Sequence, residues 1–511
     1  MSSQGTNVGL LAIAGSGTIT GTVNNINQIQ VNGIGGTTAE FQKNVSVASV
    51  LFGNGGTADF KGSLKTDPTG NINFGTNPNG GILQFSGTEP NGYELSSVIE
   101  NGGNGTLNVF TNLKAIEPSI GTIKTIAIGQ TSAPNTLTVD ITKGILNLLQ
   151  STDSTVTFNN AASKLALTTS INQHVTFNNS FHGVAGGGGI VVLDSQNGAI
   201  LEIQSFSGTQ TLGTSAVPLD QIYVTDNVGV IGTSTNKLDV RNAKNLTIAA
   251  GGIFADASPN ITSALIPQIF IGDPSGPGVY ALDAVNGNFP FAAPGLAFKN
   301  DSSVLKLITS AGSGTSTIQL TGDITPSNPN TAIVEINAKN AGSTLVIDGT
   351  SNGYSIGTLA LPMSKIKFTG DGTIEVTAIS TPAIEVYVSK LAIAEVNSDV
   401  FFTSPATLAG VQINGDIDFQ GNAANVVLAS DTENNLPALI SGNITSPGTQ
   451  NGTIEFMDDG TIGTVDSNGV STNTITNIAM LKAGADNSTV TINSGGDMSI
   501  VVKYKELARV I

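Results

Sequence analysis

The sequence predicts an all-β fold, a right-handed parallel β-helix (β-solenoid) rod with one extruded Pro/Phe-rich loop region. Three observations lead there. Short segments alternate apolar with polar residues and then break at Gly or Asn. Near-copies of one strand recur at a fixed interval. Convincing helical periodicity is absent over almost the whole length.

The alternation is clear at Leu137/Val139/Ile141, Val156/Phe158, Leu165/Leu167, Leu238/Val240, Leu246/Ile248, Leu345/Ile347, Val411/Ile413 and Val490/Ile492. Each such strand buries one face and shows the other to solvent. Leu137, Val156 and Val175 are 19 residues apart, as are Val139, Phe158 and Phe177, and TVTFNN from Thr155 is nearly repeated as HVTFNN from His174. A period near 20 with strand-like units marks a solenoid, and this reading takes the 19-residue interval as one turn of the coil. Antiparallel hairpins or several β-sandwiches would also give short strands with frequent turns. The constant interval and the scarcity of Asn-Gly hairpins between matched strands argue against them.

A longer phrase punctuates the strands. SIGTLALPMSKIKFTG (355–370) and TLGTSAVPLDQIYVTD (211–226) each place Pro five residues after the Gly and Ile nine after it. Weaker copies are SIGTIKTIAIGQ from Ser119 and TIGTVDSNGV from Thr461. Their separations are too long and uneven for one turn, so the phrase marks blocks of several turns. Pro362 is expected to fix a corner, with Ile366 and Phe368 starting the next inward strand.

The organisation expected is a β-solenoid over 1–252, an extruded loop or small protrusion over 253–300, a second solenoid part over 301–500, and a terminal cap or truncated tail over 501–511. The 253–300 segment holds six prolines, and proline cannot donate to a strand ladder. It also holds Phe254, Phe270, Tyr280, Phe289, Phe291 and Phe298. These six aromatics are either the private core of a decorated loop or a partner-contact surface. The last residues, VVKYKELARVI, read as a short helix-like stretch bearing Lys503, Lys505, Glu506 and Arg509.

Composition limits the functions. The formal charge is −17, from 20 basic and 37 acidic residues, which argues against binding nucleic acid or anionic lipid. The absence of Cys removes disulfides and thiolate metal sites. MSSQGTNVGLLAIAGSGTIT lacks the basic start of a signal peptide, and no run approaches a membrane-spanning helix. The chain therefore reads as cytosolic or as an internal piece of a longer exported protein, and the composition favours the second.

Catalytic groups are sparse. The only histidines, His174 and His182, are separated by a segment that reads as a turn, so a metal pair is not expected. Gly186 to Gly189 lack the Lys-Ser/Thr of a phosphate loop and lead into a strand, IVVLD. Asp458 and Asp459 beside Gly460 read as an exposed acidic turn. Ser-His-Asp catalysis would need one of these two histidines and is discounted. A carbohydrate-active β-helix enzyme would need convergent carboxylates and aromatic platforms, and the chain has no Trp and only six scattered Tyr. No catalytic residue, metal ligand or cofactor is assigned.

The phrases at Ile356-Gly357-Thr358 with Pro362 and Ile366, and at Leu212-Gly213-Thr214 with Pro218 and Ile222, resemble passenger domains of Gram-negative autotransporters. With GTVNNINQIQVNG (21–33) and AGADNSTVTINSGGDMSI near the end, they resemble most the rickettsial surface antigens of the outer membrane protein A/B family. The resemblance covers most of residues 5–500. It implies export, crossing of the outer membrane through a translocator β-barrel in a longer or neighbouring chain, and a place at the cell surface or in secreted form. There it implies host-cell adhesion, through an unidentified surface protein or glycan, or a surface-coat antigen. No short adhesion motif carries over. The sequence-based expectation is a non-enzymatic passenger whose rigid rod presents loops such as 253–300, with the β-helix enzyme and a purely structural surface-layer protein as alternatives.

Overall fold

The computed structural model describes residues 9–510 except 34–35, 77, 79, 117–119, 121, 142–144, 149–153, 178–187, 206–208, 215, 232–236, 241, 258–267, 286–288, 292–294, 341–342, 351–352, 370–371, 377, 382–383, 387–393, 397–398, 402–406, 411, 414–415, 419–424, 429–437, 446–450, 457–458, 466, 472, 484–488, 494–497 and 505–508. The described residues are almost entirely β and carry no α-helix; a 3-10 turn spans Gly102–Asn104. Every described pairing between strands is parallel, and the strands stack as a β-solenoid. The chain divides into two compact units, Met1–Gln268 and Ile269–Ile511.

In the first unit each turn of the coil comes to visit three faces. One turn runs through Thr136–Asp140 on the first face, Ile145–Leu148 on the second and Thr155–Phe158 on the third. It returns to the first face at Lys164–Thr169, with Leu137 opposite Leu165 and Val139 opposite Leu167. One turn is therefore the stretch from Leu137 to Leu165, well beyond Val156. Other turns differ in length. A shorter one brings Val45 opposite Leu64, and a longer one brings Val191 opposite Ile222. Corner loops absorb the difference while the strands keep register.

This register corrects the expected period. Leu137, Val156 and Val175 do not stack on one another. Leu137 stands opposite Leu113 and Leu165, Val156 opposite Ile126, and Val175 opposite Leu146 and Ile203. The interval from Leu137 to Val156 is about two-thirds of the turn from Leu137 to Leu165, so it advances two faces. TVTFNN lies on the third face and HVTFNN on the second. They look alike because every face needs the same alternation of an inward apolar residue with an outward polar one.

The core of this unit is a set of ladders. Leu113, Leu137, Leu165, Val191, Ile222 and Leu246 are successive partners on the first face, each at most 2% exposed. Each contributes about 1.5–3 kcal/mol by leaving water. On the third face Phe41, Phe60 and Phe85 are stacked at 4.8 and 5.6 Å between ring centroids. Strand spacing in a sheet matches the offset-stacking distance of aromatic rings, so one Phe per turn fills the interior continuously.

The second unit repeats the plan. One face runs through Val279–Asp283, Val304–Thr309, Thr331–Ala338, Met363–Phe368 and Ile384–Val386. Another is a ten-stranded sheet that includes Phe289–Phe291, Gly314–Leu320, Ser343–Asp348 and Gly372–Glu375. A third passes through Ala378–Ser380, Asp399–Phe401, Ile417–Asp418 and Ile444–Thr445. Opposite charges alternate along the first of these faces, where Lys306, Glu335, Lys367 and Glu385 are successive partners. In-register parallel strands would set like charges side by side, so alternation favours this register over its slips.

Two expectations about the chain's breaks are overturned. The described parts of 253–300 are regular rungs. Ile253–Asp256 pairs with Asn227–Ile231, Gln268–Ile271 with Leu296–Phe298, Val279–Asp283 with Val304–Thr309, and Phe289–Phe291 with Gly314–Leu320. Pro274 and Pro277 sit in and beside the tight turn closed by Asp273 and Gly276, and Pro290 takes the half-buried middle place of a three-residue strand. Prolines at such points interrupt single ladder positions and leave the coil intact. Pro259, Pro267 and Pro294 lie outside the described residues. The described parts of the C-terminal stretch are also strand: Met498–Tyr504 pairs with Ile475–Ala483, and Arg509–Val510 with Thr489–Ile492, while Lys505 and Glu506 lie outside the described residues. The β-branched run Ile500, Val501 and Val502 favours the strand that ends at Tyr504.

Candidate functional site

The recurring Gly-Thr phrase is a corner device. At 356–363, Ile356 is fully buried, Gly357 has φ 69°, and the Thr358 N–H donates to the Leu361 carbonyl at 3.0 Å. The Leu361 N–H donates back to Thr358 Oγ1 at 3.1 Å, Pro362 follows, and the strand Met363–Phe368 begins. The 212–219 copy has the same parts. Gly213 has φ 84°, the Thr214 N–H donates to the Val217 carbonyl at 3.2 Å, and the Val217 N–H donates to Thr214 Oγ1 at 3.0 Å. Glycine is required twice over. The backbone is left-handed, and a Cβ would lie 2.2 Å from the Ser380 carbonyl oxygen at Gly357 and 2.1 Å from that of Asn242 at Gly213. The copy at Gly463 lacks the proline, and there the Thr464 N–H donates to the Asn473 side chain at 3.0 Å. Pro362 fixes the corner as expected, and Ile366 is buried. Gly121, in the fourth copy, is outside the described residues.

The six aromatics proposed as a contact surface are mostly core. Phe254 is 0% exposed, Tyr280 1%, Phe298 2%, and Phe289 and Phe291 3% each. Tyr280 and Phe291 pack at 6.4 Å between centroids. None of these five can meet a partner without opening the coil. Phe270 alone is part exposed, with the Lys299 ammonium 4.7 Å from its ring centroid. Density in Pro and Phe, not exposure, had suggested a surface.

Of the histidines, His174 lies in Gln173–Phe177, and its Nδ1 is 2.7 Å from Glu202 Oε2, its in-register partner on the next turn. His182 lies outside the described residues, as does Asp458; Asp459 is exposed. Gly188 and Gly189 lead into the strand Ile190–Ser195, as expected. No group of three or more potential metal ligands occurs among the described residues.

The densest polar constellation went unforeseen. On the third face of the first unit, the Lys61 ammonium lies 3.0 Å from Asp59 and 3.8 Å from Glu40, and it donates to Ser86 Oγ at 2.6 Å. Ser86 Oγ donates to Asp59 Oδ1 at 2.5 Å, and Gln42 donates to Glu40. Asp59 is nearly buried beneath this cover. A serine beside a lysine invites comparison with a Ser-Lys nucleophile. Here the ammonium sits between two carboxylates and serves as a donor, so the cluster ties three turns together. Glu40 and Asp59 are in register across a turn of the expected length, and the longer turn that follows brings Ser86 to them.

The chain is similar to Outer membrane protein A of Rickettsia rickettsii, with 27% identity over 480 residues. The match covers 89% of this chain and 19% of that protein, so the chain spans about a fifth of its relative's length. No protein-family model matches the chain. No solved structure matches it either.

Proposed function

We propose that the chain is a bacterial cell-surface passenger, carried across the outer membrane by a translocator β-barrel in a longer or neighbouring chain, and acting in host-cell adhesion, as a surface-coat antigen, or both. The observation that carries this reading is the similarity to a rickettsial outer membrane protein along 89% of a chain built as a parallel coil. A β-solenoid suits the role physically. It needs no disulfide, so it crosses a membrane unfolded, and each turn then folds on the one before it.

The reading includes no catalysis. Polar groups at Ser86 and His174 are tied into pairs between turns, where they hold register. The contact surface is formed by outward rows of side chains and corner loops, since five of the six aromatics of 253–300 are interior. The test is protease shaving of intact producing bacteria followed by detection with antibody to this chain, together with adhesion of chain-coated beads to cultured host cells. Loss of the antigen on shaving and bead binding that soluble chain competes away are expected. Antigen that stays protected until the cells are lysed would overturn surface display. Beads that bind no better than albumin-coated ones would leave the coat role and remove adhesion.

A further inference from the structure

The chain is rich in Asn-Gly steps, and each is a place where a polypeptide can react with itself. The glycine nitrogen must reach the asparagine Cγ, so the asparagine side chain and the glycine N–H must both be free and the backbone must have room to bend. The corner at Gln196–Ala199 meets all three needs. It joins Ile190–Ser195 on the first face to Leu201–Ser205 on the second. Asn197 has φ 58° and Gly198 φ 73°, and the Ala199 N–H donates to the Gln196 carbonyl at 3.1 Å. Two consecutive left-handed residues closed by one bond make the turn that Asn-Gly favours. Gln196, Asn197 and Gly198 are exposed, and a Cβ built on Gly198 meets no atom within 4 Å. Among the described residues, neither the Asn197 side chain nor the Gly198 N–H has a hydrogen-bond partner.

Other described Asn-Gly steps are held. Gly33 is buried against Thr37, and Gly55 and Gly102 are buried as well. The Gly92 N–H donates to the Glu89 carbonyl at 3.0 Å, and the Gly105 N–H to the Gly102 carbonyl at 2.8 Å. Asn468-Gly469 is exposed, but Asn468 is held by a further interaction. We propose that Asn197-Gly198 is a self-modification site of the folded chain, where asparagine converts to aspartate and isoaspartate. The Gly198 nitrogen gives its proton to solvent base and bonds to Asn197 Cγ. The Cγ–Nδ2 bond breaks, and Nδ2 leaves as ammonia. Water then opens the cyclic imide at either carbonyl carbon. One opening gives aspartate; the other gives isoaspartate, in which the main chain runs through the side chain. The turn must leave its left-handed shape for the attack, and an exposed turn closed by one bond opens at little cost. Each event adds a carboxylate at this corner, beside the exposed Ile200 and outside the core. The site is independent of surface display.

Peptide mapping by mass spectrometry tests this on the full chain, aged folded and aged in urea at the same mildly alkaline pH. In the folded chain the peptide bearing Asn197 should gain the mass of one deamidation at least about fivefold faster than those bearing Asn91 and Asn104, whose glycine N–H groups must first give up a hydrogen bond. In urea the three should convert at similar rates. An isoaspartyl-specific methyltransferase with a labelled methyl donor should label the converted Asn197 peptide. Asn197→Gly keeps a residue that accepts the left-handed backbone, and should abolish the gain at this peptide with an unchanged urea melt. An Asn197 that survives in the folded chain while reacting in urea would overturn the proposal. So would Asn91 and Asn104 keeping pace with it in the folded chain, and a converted peptide that takes no label would overturn the imide route.

Discussion

Replacing Gly357 by Ala tests the corner device. Two costs add. Alanine at φ 69° is strained by about 1–2 kcal/mol. The new Cβ would also lie 2.2 Å from the Ser380 carbonyl oxygen and 3.0 Å from the Met363 amide nitrogen, both backbone atoms that move only if the rungs part. The Ser380 N–H donates to the Ile356 carbonyl at 2.9 Å, so parting the rungs loses that bond too, worth about 1 kcal/mol. Together Gly357→Ala should cost at least about 2–3 kcal/mol. Gly353 supplies the control. It has φ 75° with no atom within 4 Å of a built Cβ, so Gly353→Ala should cost only about 1–2 kcal/mol. Because a solenoid opens locally, the assay is amide hydrogen exchange at Ser380, with urea melts as support. Equal losses of protection in the two variants would refute the argument, because the close approach would then contribute nothing.

Three further outcomes follow from the ladders and clusters. Phe60→Ala removes the middle ring of the Phe41–Phe60–Phe85 stack and should cost about 3–5 kcal/mol in urea melts, while the exposed Leu359→Ala changes stability by under about 0.5 kcal/mol. Glu335→Lys sets three ammonium groups in one column with Lys306 and Lys367, and should cost about 1–2 kcal/mol at low salt, a loss that shrinks as salt is added; Glu335→Gln should cost less. Lys61→Met strips the cation from the nearly buried Asp59 and should cost about 1–3 kcal/mol at pH 7, and much of that loss should vanish in the Asp59→Asn/Lys61→Met double variant.

What could be read in the sequence was whatever a single strand or corner carries within itself. Leu137/Val139 and Leu165/Leu167 alternate because each strand faces the core on one side, and both are rungs. Pro362 marks a corner because proline, with its fixed φ, suits the entry to a strand, and Met363–Phe368 starts directly after it. What was missed depends on the length of a turn. Val156 and Val175 match in their surroundings and in their spacing, yet the longer turn of a three-sided coil puts them on different faces. Asp59 and Ser86 meet across turns of unequal length, so no fixed spacing announces them. Phe254 and Tyr280 were misplaced because local proline density was taken for extrusion, while the strands between the prolines were long enough to form rungs.

The turn itself can be measured directly, because the chain has no cysteine of its own. Thr138 stands opposite Ala166 in the register described, whereas Thr157, which the shorter period would place opposite Thr138, lies on another face. Neighbouring parallel strands hold paired Cα atoms at about 4.8 Å, within the range a disulfide spans. The Thr138→Cys/Ala166→Cys chain should therefore oxidise to an intrachain disulfide in high yield while folded, and the Thr138→Cys/Thr157→Cys chain should not. The reverse pattern would contradict the three-faced coil and restore the shorter turn.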